Sequence, residues 1–230
     1  MKIFFVEGPD NIGKSTYVRA IQQFLYGKYC TNVLVMHCEK PEGKTIDEQI
    51  EFQNNAYEKL VDQLIEWNNN NEYDAIIFDR AWYGEYVYGT MYRNRDKEDV
   101  KKRIQSYEQK LLSVFKPYDM KLILLTTESA EFLVKNDDGK SISKADVSLI
   151  KKELKLFDEI YEASLFGVVN GINNKTRIYV TQMQNPLTYI KDGVSEEKNE
   201  QHVFRDKFMV FDDIKKNIML NVNFFNIPGV

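Results

Sequence analysis

The sequence predicts a three-layer α/β fold, a parallel five-stranded sheet with helices on both faces. Short apolar runs alternate along the chain with longer stretches of helical period, the pattern of strand–helix–strand crossovers. The first apolar run is followed at once by Gly8-Pro9-Asp10-Asn11-Ile12-Gly13-Lys14-Ser15. This is a G-x-x-x-x-G-K-[ST] phosphate-binding loop in the strand–loop–helix setting that such a loop requires. A chain of 230 residues with 43% hydrophobic residues suits one domain with a sizeable core and a small appendage.

The first strand is expected over 2–7, around Ile3-Phe4-Phe5-Val6, and the first helix over 14–27. Val33-Leu34-Val35-Met36 reads as a second strand. A long helix over 45–68 sets Ile46, Ile50, Ala56, Leu60, Leu64 and Trp67 near a helical period, and the polar run Asn68 to Asn71 ends it. Ala75-Ile76-Ile77-Phe78 is apolar throughout, as a strand covered on both faces should be. A helix over 97–115 stops near Pro117, Leu122-Ile123-Leu124-Leu125 is a fourth strand, 145–166 another helix and Arg177-Ile178-Tyr179-Val180 a fifth strand. Right-handed crossovers make the sheet parallel and put ligands beyond the carboxyl ends of its strands, where the motifs fall. The main domain is expected over 1–182, with 183–230 a C-terminal extension packed on it.

The loop's residue types follow from phosphate chemistry. Glycines at 8 and 13 let the backbone wrap closely around a polyphosphate, which a Cβ would obstruct. The N–H groups from Gly8 through Asn11, Ile12 and Gly13 to the helix start point at negative charge. Lys14 reaches the β- and γ-phosphates and the Ser15 hydroxyl ligates Mg²⁺. At the end of the third strand, Asp79 stands where a second metal-organising carboxylate belongs, and Arg80 offers a planar fork to phosphate oxygens. Of the aromatics that follow, Trp82, Tyr83 and Tyr86 read as core; Tyr88 is the candidate for a ligand contact.

The stretch Phe5-Val6-Glu7-Gly8-Pro9-Asp10-x-x-Gly13-Lys14-Ser15-Thr16 resembles the N-terminus of thymidylate kinases, with their pattern E-G-x-D-G-x-G-K-[ST]-T. Asp79-Arg80 resembles their D-R motif, and Tyr88 matches their tyrosine nine residues past the aspartate. The similarity runs over about 1–165, and Gly84 to Gly89 looks most like the thymidylate-kinase-like proteins of bacteriophages. The resemblance implies that Lys14, Ser15 and Thr16 bind the phosphates of ATP and the metal. It implies that Asp10 touches the acceptor's 3′-hydroxyl or places its phosphate, that Arg80 holds that phosphate, and that Asp79 organises metal and waters. Tyr88 would lie under the sugar, and Lys40, after the second strand, would be an acceptor contact.

Two positions depart from the family pattern. Gly89 stands where those kinases carry Gln after the tyrosine, and no arginine occurs between Arg103 and Arg177, where they close an Arg-bearing lid. The lid position, about 134–145, carries Lys135, Lys140 and Lys144 instead, with Arg93 and Arg95 as alternative sources of positive charge. The expectation is ATP–Mg²⁺-dependent phosphoryl transfer to a small deoxynucleotide, dTMP or a modified pyrimidine analogue first. The rival readings are a deoxynucleoside kinase using Asp79, Glu7 or Asp10 as base, a kinase of a hydroxymethylated base in DNA, and a catalytically silent nucleotide-binding interaction protein. Resemblance alone suggests a homodimer.

A net charge of −4 and pI near 5.4 argue against tight non-specific nucleic-acid binding, while leaving a local basic groove open. Cys30 and Cys38 have no metal spacing and are too few for a disulfide framework, so reduced thiols and a cytoplasmic location (host cytoplasm if phage-encoded) are expected. His37 and His202, far apart, suggest no metal site. No apolar run has the length of a membrane span, and the N-terminus is strand-like.

Overall fold

In a computed structural model of the protein, residues 1–28, 30–38, 40–169 and 172–180 are described. The C-terminal extension expected over 183–230 lies outside the described residues. Five parallel strands, β1 (Lys2–Glu7), β2 (Val33–His37), β3 (Ala75–Asp79), β4 (Met120–Thr126) and β7 (Lys175–Tyr179), form one sheet in the order β2-β3-β1-β4-β7. A two-stranded antiparallel ribbon, β5 (Val168–Val169) and β6 (Ile172–Asn173), precedes the last strand. β1 lies at the centre, so its carboxyl end, where the phosphate loop begins, is flanked by the ends of β3 and β4.

Strand periodicity divides the core in two. Ile3 and Phe5 of β1, with Ile76 and Phe78 of β3 and Leu122 and Leu124 of β4, face one side and meet α2 (Ile46–Asn70), α4 (Lys97–Leu112) and α6 (Val147–Ala163). Phe5 is stacked on Phe78 with ring centroids 5.2 Å apart, in register across the β1–β3 ladder. Phe4, Val6, Ile77, Ile123 and Leu125 face the other side and meet α1 (Lys14–Lys28) and α5 (Ala130–Lys135).

The ends of the helices have identifiable causes. Thr45 caps α2 by accepting from Glu48 N–H at 3.2 Å, and Asn71 ends it with a left-handed φ of 52°, which a short polar side chain tolerates. α4 stops at Leu112, short of the expected 115, because Val114 and Phe115 both turn their N–H groups back onto Leu111 ahead of Pro117. Asp146 starts α6 by accepting from the N–H groups of Ser148 and Leu149 at 2.7 and 3.1 Å. Besides the β5–β6 ribbon and a short 3₁₀ turn at Pro117–Asp119, two helical elements escape the sequence pattern. One is α5; the other is a π-helical turn, Glu85–Gly89, running into a last turn α3 (Thr90–Tyr92). No helix among the described residues is long and apolar enough to cross a membrane.

Candidate active site

The phosphate loop is held close against the carboxyl end of the neighbouring strand β4. Gly8 has φ 144°, and a Cβ there would sit 3.3 Å from the Leu125 carbonyl carbon and nearer still to its oxygen. Gly13 has φ 97° and Asn11 φ 63°, so the loop's reversals use residues that accept left-handed geometry. Lys14 is buried at the helix start, donating to the carbonyls of Gly8 at 2.8 Å and Pro9 at 2.5 Å, 3.9 Å from the Asp10 carboxylate. Burial pulls its pKa down to about 8, with Arg80 pushing the same way and Asp10 and Glu7 resisting. An amine curled onto its own loop is a donor set ready to be transferred to phosphate oxygens.

β3 ends at Asp79, level with His37 on β2 and beside Val6 on β1. Ser15 Oγ donates to Asp79 Oδ2 at 2.6 Å, and His37 Nδ1 lies 3.8 Å from the same oxygen. Asp79 Oδ1 is buried with no hydrogen-bond partner among the described residues. A hydroxyl beside a carboxylate with a spare buried oxygen fits the hard-oxygen preference of Mg²⁺. No separate cluster of three or more metal-ligating side chains occurs among the described residues.

Arg80 bends the chain away from the sheet. Its φ is 75°, a left-handed conformation that costs a non-glycine residue of order 1 kcal/mol or more. The reversal aims consecutive N–H groups at β1, Arg80 to the Val6 carbonyl at 3.1 Å and Ala81 to Glu7 Oε1 at 2.5 Å. The Arg80 guanidinium is ion-paired with Asp10, and a third of its side chain remains exposed to the cleft. Glu7 is buried, and desolvation pushes its carboxyl up to about 7 although Ala81 N–H, Lys14 and Arg80 favour the charged form.

A cleft of about 60 Å³, open at its mouth, adjoins this loop and is lined by Lys40, Pro41, Tyr88 and Phe157 among others. Tyr88 is buried; its ring stands edge-on to Phe157 with centroids 5.9 Å apart, and its hydroxyl has no hydrogen-bond partner among the described residues. Trp82, Tyr83 and Tyr86 are buried in the core. At another part of the lining, Gln53, Glu85 and Arg93 meet. Glu85 is ion-paired with Arg93 and with Arg95 at 2.9 Å, Arg95 also donates to Asn54 at 3.2 Å, and Gln53 donates to the Tyr57 hydroxyl at 2.7 Å. Gly89 is what admits this network: its φ is an ordinary −65°, but a Cβ would fall 2.9 Å from Glu85 Cδ and 3.1 Å from Arg95 Cδ.

The structure thus brings Gly8, Asp10, Asn11, Ile12, Gly13, Lys14, Ser15, Thr16, Asp79 and Arg80 to one end of the sheet, with Tyr88, Lys40 and Arg93 along the adjoining cleft. Arg93 and Arg95 are engaged by Glu85 rather than free. Lys135, at the end of α5, and Lys140 and Lys144, on the segment between α5 and α6, are all exposed. That segment meets the loop through a carboxylate instead: Asp137 Oδ1 accepts from Asn11 Nδ2 of the loop at 3.1 Å. Sequence reading missed Gln53, Glu85 and the buried Glu153 of α6. Gln53 and Glu153 lie in no motif and Glu85 carries no recognisable role within its own; only the third dimension puts Gln53 and Glu85 on the cleft and Glu153 against Tyr92.

No protein-family model and no curated protein sequence matches the chain. Among solved structures, the thymidylate kinase from Ehrlichia chaffeensis has a TM-score of 0.52 with 13% identity, covering 90% of this chain and 98% of that one. At that identity the likeness is one of fold: this chain has the three-layer α/β fold of a P-loop kinase.

Proposed function

We propose that the protein transfers the γ-phosphoryl group of ATP to a deoxynucleoside monophosphate, dTMP or a modified pyrimidine analogue first. The observation that carries this is the adjacency at one cleft of a phosphate loop, the Ser15–Asp79 pair and the Arg80–Asp10 pair, with Tyr88 lining the same space. The resemblance to the thymidylate kinase fold supports the same reading. Lys14 would leave the Gly8 and Pro9 carbonyls for the β- and γ-phosphates. Ser15 and Asp79 would hold Mg²⁺, which supplies neutralisation of polyphosphate charge. Arg80 would turn its exposed edge to the acceptor phosphate while Asp10 fixes its fork. Such transfer depends on alignment and charge, which these groups can provide without a covalent intermediate.

A second reading, a deoxynucleoside kinase, is favoured by Glu7. A buried carboxyl held near neutral pH at the cleft lining suits a general base toward a hydroxyl, which a phosphate acceptor does not need. Phosphoryl transfer from ATP–Mg²⁺ to deoxynucleosides, their monophosphates and a hydroxymethylated DNA duplex separates these readings. Turnover of a pyrimidine monophosphate supports the first, and of nucleosides alone the second. ATP binding with no transfer to any acceptor would leave only a nucleotide-binding interaction protein. Lys14→Ala is the control, removing transfer with the fold intact if the protein is an enzyme.

A further inference from the structure

We propose that Glu153, on the helix that follows the lid segment, is a positioning residue for the acceptor, acting through Tyr92 on Tyr88. The inference rests on the reading of Tyr88 as the wall against the acceptor sugar. Tyr88 and Tyr92 are one helical turn apart, as are Glu153 and Phe157, so each pair presents two neighbouring side chains on one helical face. The two faces meet in antiparallel order. Phe157 stands edge-on to Tyr88, and Tyr92 Oη donates to Glu153 Oε1 at 2.9 Å. The Tyr88 and Tyr92 rings lie nearly parallel, 20° apart with centroids 6.3 Å from each other. The Tyr88 hydroxyl, buried and without a partner among the described residues, is therefore set by a ring whose neighbours on both sides are fixed by α6.

Glu153 is almost fully buried, at 1% exposure, and no described residue hydrogen-bonds its second carboxylate oxygen. A carboxylate so desolvated is costly, and packing alone would be served better by leucine. What leucine could not do is accept the Tyr92 hydroxyl. The chain Tyr88–Tyr92–Glu153 also runs into the helix that begins at Val147, directly after the segment touching the phosphate loop through Asp137. An acceptor resting on Tyr88 thus bears on an element whose first turn adjoins that segment.

The test is steady-state kinetics on the full chain with Glu153→Leu, Glu153→Gln, Tyr92→Phe and the double variant Tyr92→Phe/Glu153→Leu, with ATP dissociation constants and thermal midpoints measured alongside. Glutamine still accepts from Tyr92 and should restore acceptor KM to within about twofold of the wild type. Glu153→Leu and Tyr92→Phe should each raise acceptor KM by about tenfold, the loss of one buried hydrogen bond to a charged group, with ATP affinity unchanged. The double variant should be no worse than the poorer single one. Tyr92→Phe behaving as wild type, losses that multiply in the double variant, or KM changes that track the thermal midpoint would overturn the assignment. If the wild type phosphorylates no deoxynucleotide, the proposed function itself fails, and this assignment with it.

Discussion

Replacing Gly89 by alanine sets two effects of opposite sign against each other. Gly89 has helical geometry, φ −65° and ψ −44°, between the π-helical turn and α3. On backbone grounds alone alanine should stabilise it by about 1 kcal/mol. The added Cβ, however, would lie 2.9 Å from Glu85 Cδ, and nearer to Oε1, the oxygen that holds Arg95. Glu85 and Arg95 are each 4% exposed, and Arg93 11%, so the carboxylate cannot swing into solvent. Displacing it weakens two charge-assisted hydrogen bonds, worth about 1.5–3 kcal/mol each, and leaves buried charge poorly matched. The expected net result is a destabilisation of about 2 kcal/mol or more, a fall in Tm of about 4–8 °C for a domain of this size. Urea unfolding followed by circular dichroism reads it directly. Glu85→Ala provides the internal control. In that background Gly89→Ala should become neutral or stabilising, because the collision with the carboxylate is gone, the Arg95 side chain 3.1 Å away is no longer held by Glu85 and can give, and the propensity gain remains. A Gly89→Ala protein as stable as wild type, or the same cost with and without Glu85, would refute the argument that the Glu85 network dictates glycine here.

Three further outcomes follow from the site. Asp79→Asn should weaken the Mg²⁺ dependence of ATP binding by tenfold or more, with little change in metal-free affinity, as seen by titration calorimetry with and without chelator. Arg80→Lys should lose at least about tenfold in kcat/KM for a phosphate acceptor, because a lysine keeps the charge but not the planar fork that reaches Asp10 and a phosphate together. Burial raises the Glu153 carboxyl to about 7, against the pull of the Tyr92 hydroxyl. The folded state then binds this proton more tightly than the unfolded chain, so the associated stability is complete below about 4.5 and is lost as pH rises through about 7. Denaturant melts at pH 5 and pH 8 should therefore show Glu153→Gln gaining stability relative to wild type at the higher pH; equal differences at both would contradict the assigned burial.

Local chemistry made much of this molecule legible along the chain. The Gly8–Ser15 loop could be read because phosphate cradling fixes residue types at fixed spacing, and β3 because only a strand covered on both faces is apolar at every position. The helix ends at Thr45 and Asn71 are likewise local events, decided by side chains that compete for nearby backbone groups. The sheet order, with β1 between β3 and β4, is a sum of long-range pairings that no local pattern encodes, and it is what brings Asp79 to Ser15 and Arg80 to Asp10 across the cleft. The same holds for the functions of single residues. Gly89 reads in the sequence as a missing glutamine, but in space it is the opening for a carboxylate between two arginines. Glu153 reads as one charge on an amphipathic helix, but folding places it under Tyr92, where desolvation outweighs its preference for water. Sequence determines which groups are present and the local conformations they favour; only tertiary packing decides which charges lose their water, and with whom.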